Sequence, residues 1–357
     1  MRVKTQYLVE GCIISKDVPG LTSRPIMNAK TILTQDLLEV LKAFLVPEVS
    51  VERTLINGLR FVPKDVIDFE TEEVEEKASF ITAYLKTVQE YKRLFKNWQA
   101  GSPVDVSKVR EIMIPLFETA MQRPSDLFTL RHYCEKEDYL FHHAITVGLL
   151  SGYIAAKMNF DLGDILQIVL AGSLVDCGMA RISPSILEKK AGLTSDEFNE
   201  VKKHPIFGLQ MLQNTTLLKE TVKLAILQHH ERLDGSGYPS GKRAQSPHIF
   251  SRIVAVADVY NAMCSERHYR KKQSPFKVLE MIRQDNFGKF DITVVQTLLA
   301  GVTNFSIGSR VILSNGYTAE IVFVESNSPT RPMVKVEDTG EIINLEKKRD
   351  IFIEDIV

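Results

Sequence analysis

Cysteine is scarce in this chain, and what there is does not cluster. The four cysteines, Cys12, Cys134, Cys177 and Cys264, show no CxxC spacing, which excludes a disulfide scaffold or zinc ribbon and suits a reducing compartment. Each is expected to be a small core residue. Long apolar runs are missing as well. None approaches the roughly 20 residues needed to span a bilayer, and the opening MRVKTQYLVEG lacks the apolar centre of a signal peptide. The expectation is a cytoplasmic protein with no membrane span. An excess of one charge is also lacking. Forty-four Lys and Arg stand against 45 Asp and Glu, a formal net charge of -1, which excludes whole-surface attraction to a nucleic acid polymer or an anionic membrane. Any anion site must be local.

What is present is the composition of a packed globular protein: 44% hydrophobic and 25% charged residues, far from the balance that marks disorder. At 357 residues the chain exceeds one typical domain, so two or three are expected. Residues 1–62 carry short alternating runs, Tyr7-Leu8-Val9 and Cys12-Ile13-Ile14, and a helix after a Thr34 N-cap, which reads as a small α+β module. It has no Cys/His cluster and no Gly-rich phosphate loop.

Residues 63–103 read as a connecting helix. Over 71–99 the apolar residues Ile81, Tyr84, Val88, Tyr91, Phe95 and Trp98 recur at intervals of 3, 4, 3, 4 and 3. That stripe fits a helix docked on its own domain or, although short of three heptads, the seam of a homodimer through 71–99. Ala100-Gly101-Ser102-Pro103 breaks it. Residues 104–300 are dominated by helical periodicity, with segments expected near 139–158, 164–177, 195–213, 217–230, 248–264 and 275–284. From 301 to 357 the period becomes two, with hairpin signals at Asn315-Gly316 and Thr339-Gly340. A small antiparallel β barrel is expected there.

All eight histidines fall between positions 132 and 268, inside the helical region. His229 and His230 end the apolar run Val222-Lys223-Leu224-Ala225-Ile226-Leu227 and lead into a Gly-rich turn. Adjacent helical side chains diverge by about 100°, so such a pair can share one metal only near a helix end. Asp176 follows the apolar run 168–175, and Asp258 sits within Ile253-Val254-Ala255-Val256-Ala257-Asp258-Val259-Tyr260. Half-buried carboxylates need a cation, a basic partner or several donors.

His229-His230-Glu231 with Asp234-Gly235-Ser236-Gly237-Tyr238-Pro239 resembles the signature of the HD-GYP family. The resemblance runs from about Asp138 to Phe290 and takes in His143, His204-Pro205 with Gly208, the stretch Ala257-Asp258-Val259-Tyr260-Asn261-Ala262, and the stretch 265–270. It implies an all-α bundle holding divalent metal, commonly iron or manganese, and hydrolysis of cyclic di-GMP. Carried over, His204, His229 and His230 with Asp176 as a bridge make one intact metal position. The second position would use His143, Asp176 and Asp258, but Val175 stands where the family has a histidine, and Met179 where it has a lysine near the scissile phosphate.

The resemblance also implies that Asp176 is central to catalysis and that Arg267 and Arg270 face the nucleotide phosphates, unless the run from Arg267 to Lys272 is merely solvated. Tyr238 is placed in the recognition turn, either at the ligand or partner or packed over the metals. His142 is expected to be structural, and His132, His248 and His268 carry no assigned role. The implied protein binds cyclic di-GMP with weakened hydrolysis. The alternative is a catalytically silent sensor, or a scaffold for a partner such as a diguanylate cyclase.

Overall fold

The computed structural model describes the chain apart from residues 20–24, 45, 53, 60, 64–68, 242–245, 267–271, 285–287, 305–306 and 357, and gives the backbone course alone over 69–79. It forms two compact units, Met1–Ser79 and Phe80–Val357.

In the first unit strand β1 (Arg2–Lys4) pairs antiparallel with β2 (Glu48–Ser50), and between them in sequence lies helix α1 (Gln35–Ala43). The Thr34 hydroxyl accepts from Leu37 N, so the expected cap is in place. The run at Tyr7 is not a strand: Thr5–Tyr7 form a 3-10 turn, and Ile13 and Ile14 make single bridges to Ile32 and Val51. Alternation marked burial correctly (Leu8, Cys12 and Ile14 are core) without an extended ladder partner.

The second unit takes the part of α2 (Phe69–Gln99) from Phe80 onward, then α3 (Val106–Gln122), α4 (Tyr139–Lys157), α5 (Leu162–Leu174), α6 (Pro184–Leu187), α7 (Ser195–Val201), α8 (His204–Leu212), α9 (Glu220–Gln228), α10 (Ile249–Cys264), α11 (Pro275–Gln284) and α12 (Ile292–Val302). Of the two uses open to the α2 stripe, docking on its own domain is the one seen. Ile81, Tyr84, Val88, Tyr91, Phe95 and Trp98 all lie in the core of this unit. The helix expected over 195–213 is two, because Pro205 has no N–H with which to continue α7 and instead opens α8 after a break at Lys202-Lys203. One amendment concerns membrane spans. Among the described residues Leu162–Arg181 is long and apolar enough to cross a bilayer, yet most of it is buried as the core helix α5 and the turn after it.

The C-terminal strands are β3 (Arg310–Leu313), β4 (Thr318–Phe323), β5 (Met333–Val336), β6 (Ile342–Asn344) and β7 (Ile353–Ile356), ordered β6-β5-β4-β3-β7. This corrects the expected barrel: the sheet is open, with β6 and β7 as its edges. Closure is unnecessary because the inward residues Val311, Leu313, Ala319, Ile321, Val334, Val336, Ile343 and Ile353 join the apolar core of the helices. Arg331 fixes the attachment. Its guanidinium forks onto Glu280 of α11 (2.6 and 2.7 Å) and donates to the carbonyls of Leu345, Arg349 and Ile351. The cysteines are all free, with Cys12, Cys177 and Cys264 buried and Cys134 partly so.

Candidate metal centre

Five segments of the second unit converge at one point. α4 brings His143, the turn after α5 brings Asp176, the start of α8 brings His204, the end of α9 brings His229 and His230, and α10 brings Asp258. α9 stops at Gln228, so His229 occupies the cap and His230 lies beyond it. This is the helix end that a neighbouring pair needs to face one point. The Asp176 turn is held against α8 through Gly178, where a Cβ would stand only 2.0 Å from His204 O and 2.4 Å from Gly208 N.

The histidine ring nitrogens fix what the cluster can bind. His204 donates Nδ1–H to Val201 O (2.7 Å), and His229 donates Nδ1–H to Ile226 O (2.8 Å). In the neutral rings both Nε2 atoms are then bare acceptors, 3.1 Å apart, and His204 Nε2 also lies 3.2 Å from Asp176 Oδ1. No proton is available near neutrality to relieve this, since burial pulls both histidines down to about 4. Burial likewise lowers His230 well below its usual value. Two nitrogens each about 2.1 Å from one ion lie about 3.0–3.4 Å apart, so an acceptor-only cluster of this spacing fits a divalent cation. One ligand atom from each of His204, His229 and His230 lies within 4.8 Å of the others.

His143 is differently arranged. Its Nε2 is 2.9 Å from Asp258 Oδ1 and 3.6 Å from Asp176 Oδ2. Its Nδ1 accepts from the Asn261 amide (3.3 Å), which is oriented by the Ser265 hydroxyl donating to Asn261 Oδ1 (3.0 Å), and lies 3.1 Å from the Tyr139 hydroxyl. That leaves the Nε2–H to be donated to Asp258. Burial alone would raise Asp258, but the His143 hydrogen bond and the charges of His230, His143 and His229 hold it far below the usual carboxylate range. A second cation here would have to displace that proton. Val175 is fully buried in the apolar core, and Met179 packs against it half-buried.

The signature turn closes over His230. Tyr238 N–H donates to His230 O (3.2 Å), and the two rings lie 4.6 Å apart. Gly237 is required by close approach, because a Cβ there would sit 2.3 Å from His230 O. The Glu231 carboxylate accepts from Ser240 N (2.6 Å) and Gly241 N (3.1 Å), so the loop is tied at both ends. Lys202, missed in the sequence, holds its ammonium over the rings of Phe198 and Tyr238 (4.7 and 5.7 Å) and makes no ion pair among the described residues. Tyr139 and Asn261 were also missed, although each lies one helical turn from a histidine or aspartate already singled out. His142 is buried against the Tyr84 hydroxyl (2.9 Å) and away from the cluster's ligand set. Arg267, Arg270 and His268 lie outside the described residues.

A family described as "HD domain" matches residues 130–294. A cyclic di-GMP phosphodiesterase of Pseudomonas aeruginosa is 28% identical over 243 residues, 68% of this chain and 58% of its own. Cyclic di-GMP phosphodiesterase PdeB of Borreliella burgdorferi is 26% identical over 60% of this chain and 56% of its own. A cyclic di-GMP phosphodiesterase of Thermotoga maritima reaches 39% identity over 40% of this chain and 38% of its own. The chain thus spans little more than half the length of the first two relatives and less of the third. In fold it is similar to the solved HDG"Y"P protein of Bdellovibrio bacteriovorus, with a TM-score of 0.50 and 18% identity over 84% of this chain and 97% of that one.

Proposed function

We propose, for a chain that belongs to the HD-GYP family, that the unit Phe80–Val357 binds cyclic di-GMP at a divalent-metal centre and hydrolyses it slowly. His204, His229, His230 and Asp176 would hold the tight metal, iron or manganese, and His143 and Asp258 a weaker one. Bound metal supplies Lewis acidity and an activated water for in-line attack on a phosphodiester. The chain's own residues bind and orient. Asp176 spans the two positions, Tyr238 lines the ligand side of His230, and Lys202, Arg267 and Arg270 would neutralise phosphate charge.

The observation that carries this reading is the pair of backbone-pinned imidazoles whose bare Nε2 atoms face each other at 3.1 Å, a geometry that asks for a cation. Slow turnover is inferred from Val175 and Met179, apolar residues where the family has an imidazole and an ammonium. Those two positions also favour a second reading, a silent cyclic di-GMP sensor that passes occupancy to a signalling partner such as a diguanylate cyclase. The test is anaerobically purified protein, analysed for metal and assayed with Fe²⁺ and Mn²⁺ for cyclic di-GMP binding and cleavage. Metal with slow cleavage supports the first reading, metal with binding alone the second, and neither metal nor binding overturns both.

A further inference from the structure

The buried stripe of α2 contains two hydroxyls that an apolar seam does not need. Tyr84 and Tyr91, seven residues apart, are 0% and 1% exposed, as deep as Val88 between them. Phenylalanine would fill the same volume, and a buried hydroxyl is costly unless it is hydrogen-bonded. Both are bonded. Tyr91 donates to Ser173 O at 2.6 Å, and the Tyr84 hydroxyl lies 2.9 Å from His142 Nδ1 and 3.2 Å from Thr146 Oγ1.

The partners are not scattered through the core. Ser173 lies in the last turn of α5, where a carbonyl has no partner within its own helix, and Asp176 is three residues further on. His142 is the neighbour of His143 on α4. The next residue of α2, Lys92, grips Asp138 at the start of α4 with both carboxylate oxygens (2.6 and 2.8 Å). A single helix face therefore bonds to the two segments that deliver Asp176 and His143, which come from different helices and must meet within 3.6 Å.

We propose that Tyr91, seconded by Tyr84, is a positioning residue for the metal centre. By capping the end of α5 its hydroxyl sets where the chain turns toward Asp176, and Tyr84 holds the α4 register that carries His143. The inference rests on the metal reading above and deepens it by assigning α2 a part in the site that it never touches directly. Groups that orient a ligand from behind typically change metal affinity by about ten- to a hundredfold when removed.

The test uses the full-length chain and three hydroxyl deletions, Tyr91→Phe, Tyr84→Phe and Tyr153→Phe. Tyr153 is the control, a buried α4 tyrosine packed edge-on against Phe128 and remote from the cluster's ligands. Mn²⁺ affinity is measured by competition with a chelator, and the thermal midpoint of each metal-stripped protein is measured alongside. The expected result is Mn²⁺ affinity about tenfold weaker for Tyr91→Phe, less so for Tyr84→Phe and unchanged for Tyr153→Phe, with similar midpoints for all three. Equal Mn²⁺ affinity in the parent and Tyr91→Phe removes this inference and leaves the metal reading standing. So does a loss that tracks the midpoint across all three variants. A parent that takes up no Mn²⁺ removes both.

Discussion

His204 and His229 turn their Nε2 atoms toward each other at 3.1 Å while each commits its Nδ1–H to a main-chain carbonyl three residues back. Without a cation this is a contact between two lone pairs in a water-poor place. One tightly held metal per chain is therefore expected after dialysis, and none in His229→Ala. Saturation at a thousandfold excess over the dissociation constant should stabilise the fold by about 4 kcal/mol, seen as a higher thermal midpoint. Two equally retained metals in the parent would contradict the difference drawn between the His204 and His143 sides.

Lys202 and Lys203 are adjacent, yet among the described residues only Lys203 has a carboxylate, Glu200, at 2.7 Å. If Lys202 serves the ligand, Lys202→Ala should weaken cyclic di-GMP binding by about ten- to a hundredfold, as for a charge-assisted contact, and the loss should shrink in Lys202→Arg. Lys203→Ala should bind like the parent. Calorimetry finding both alanine variants unchanged would leave Lys202 as a packing residue over Tyr238.

Glu231 holds the signature loop by accepting from Ser240 N and Gly241 N. Glu231→Gln keeps the shape but loses the charge, so those bonds should weaken by about 1–2 kcal/mol. The expected consequence is faster proteolytic nicking near Ser240 and weaker nucleotide binding, with metal content unchanged. A loop as resistant as the parent's would show that Gly237 and the main-chain bonds suffice.

Restoring the missing groups tests the slow turnover. Val175→His with Met179→Lys should raise hydrolysis about tenfold or more if an imidazole ligand and a phosphate contact are regained. Because Val175 is fully buried, the larger ring should also cost about 1–3 kcal/mol in the metal-free protein. A folded, metal-loaded double variant that cleaves no faster points to the sensor.

Arg331 and Glu280 are both largely buried, and Arg331→Met leaves the Glu280 carboxylate without its partner. Denaturant unfolding should show a loss of about 3–5 kcal/mol, while the metal content of the folded protein stays at the parent level. A loss below about 1 kcal/mol would mean that the apolar face alone holds the sheet.

The residues that the structure gathers into the His/Asp cluster were legible in the sequence and their supporting bonds were not, for a reason visible in particular residues. His229, His230 and the Gly-rich turn are contiguous, and the α2 stripe repeats with a helical period, so both can be read locally. Asn261 reaches His143 across 118 residues, and Tyr91 reaches Ser173 across 82. No local pattern encodes such pairs. Strand β7 was hidden because Glu354 and Asp355 interrupt its alternation, and the openness of the sheet depends on β7 choosing β3. The break before α8 was legible in Pro205 but was smoothed over by the apolar residues on either side.

The contact at Gly178 makes the centre a gauge without a spacer. Two main chains touch there, so the separation between the Asp176 turn and the start of α8 is set backbone to backbone, and the 3.2 Å between the Asp176 carboxylate and the His204 ring is built on that fixed base. Exchanges among the apolar residues around the bundle alter how tightly it is filled and leave that gauge where it is. One methyl group at 178 would act as a wedge. The surroundings of the centre can thus be repacked while the spacing of the two backbones that carry Asp176 and His204 stays fixed.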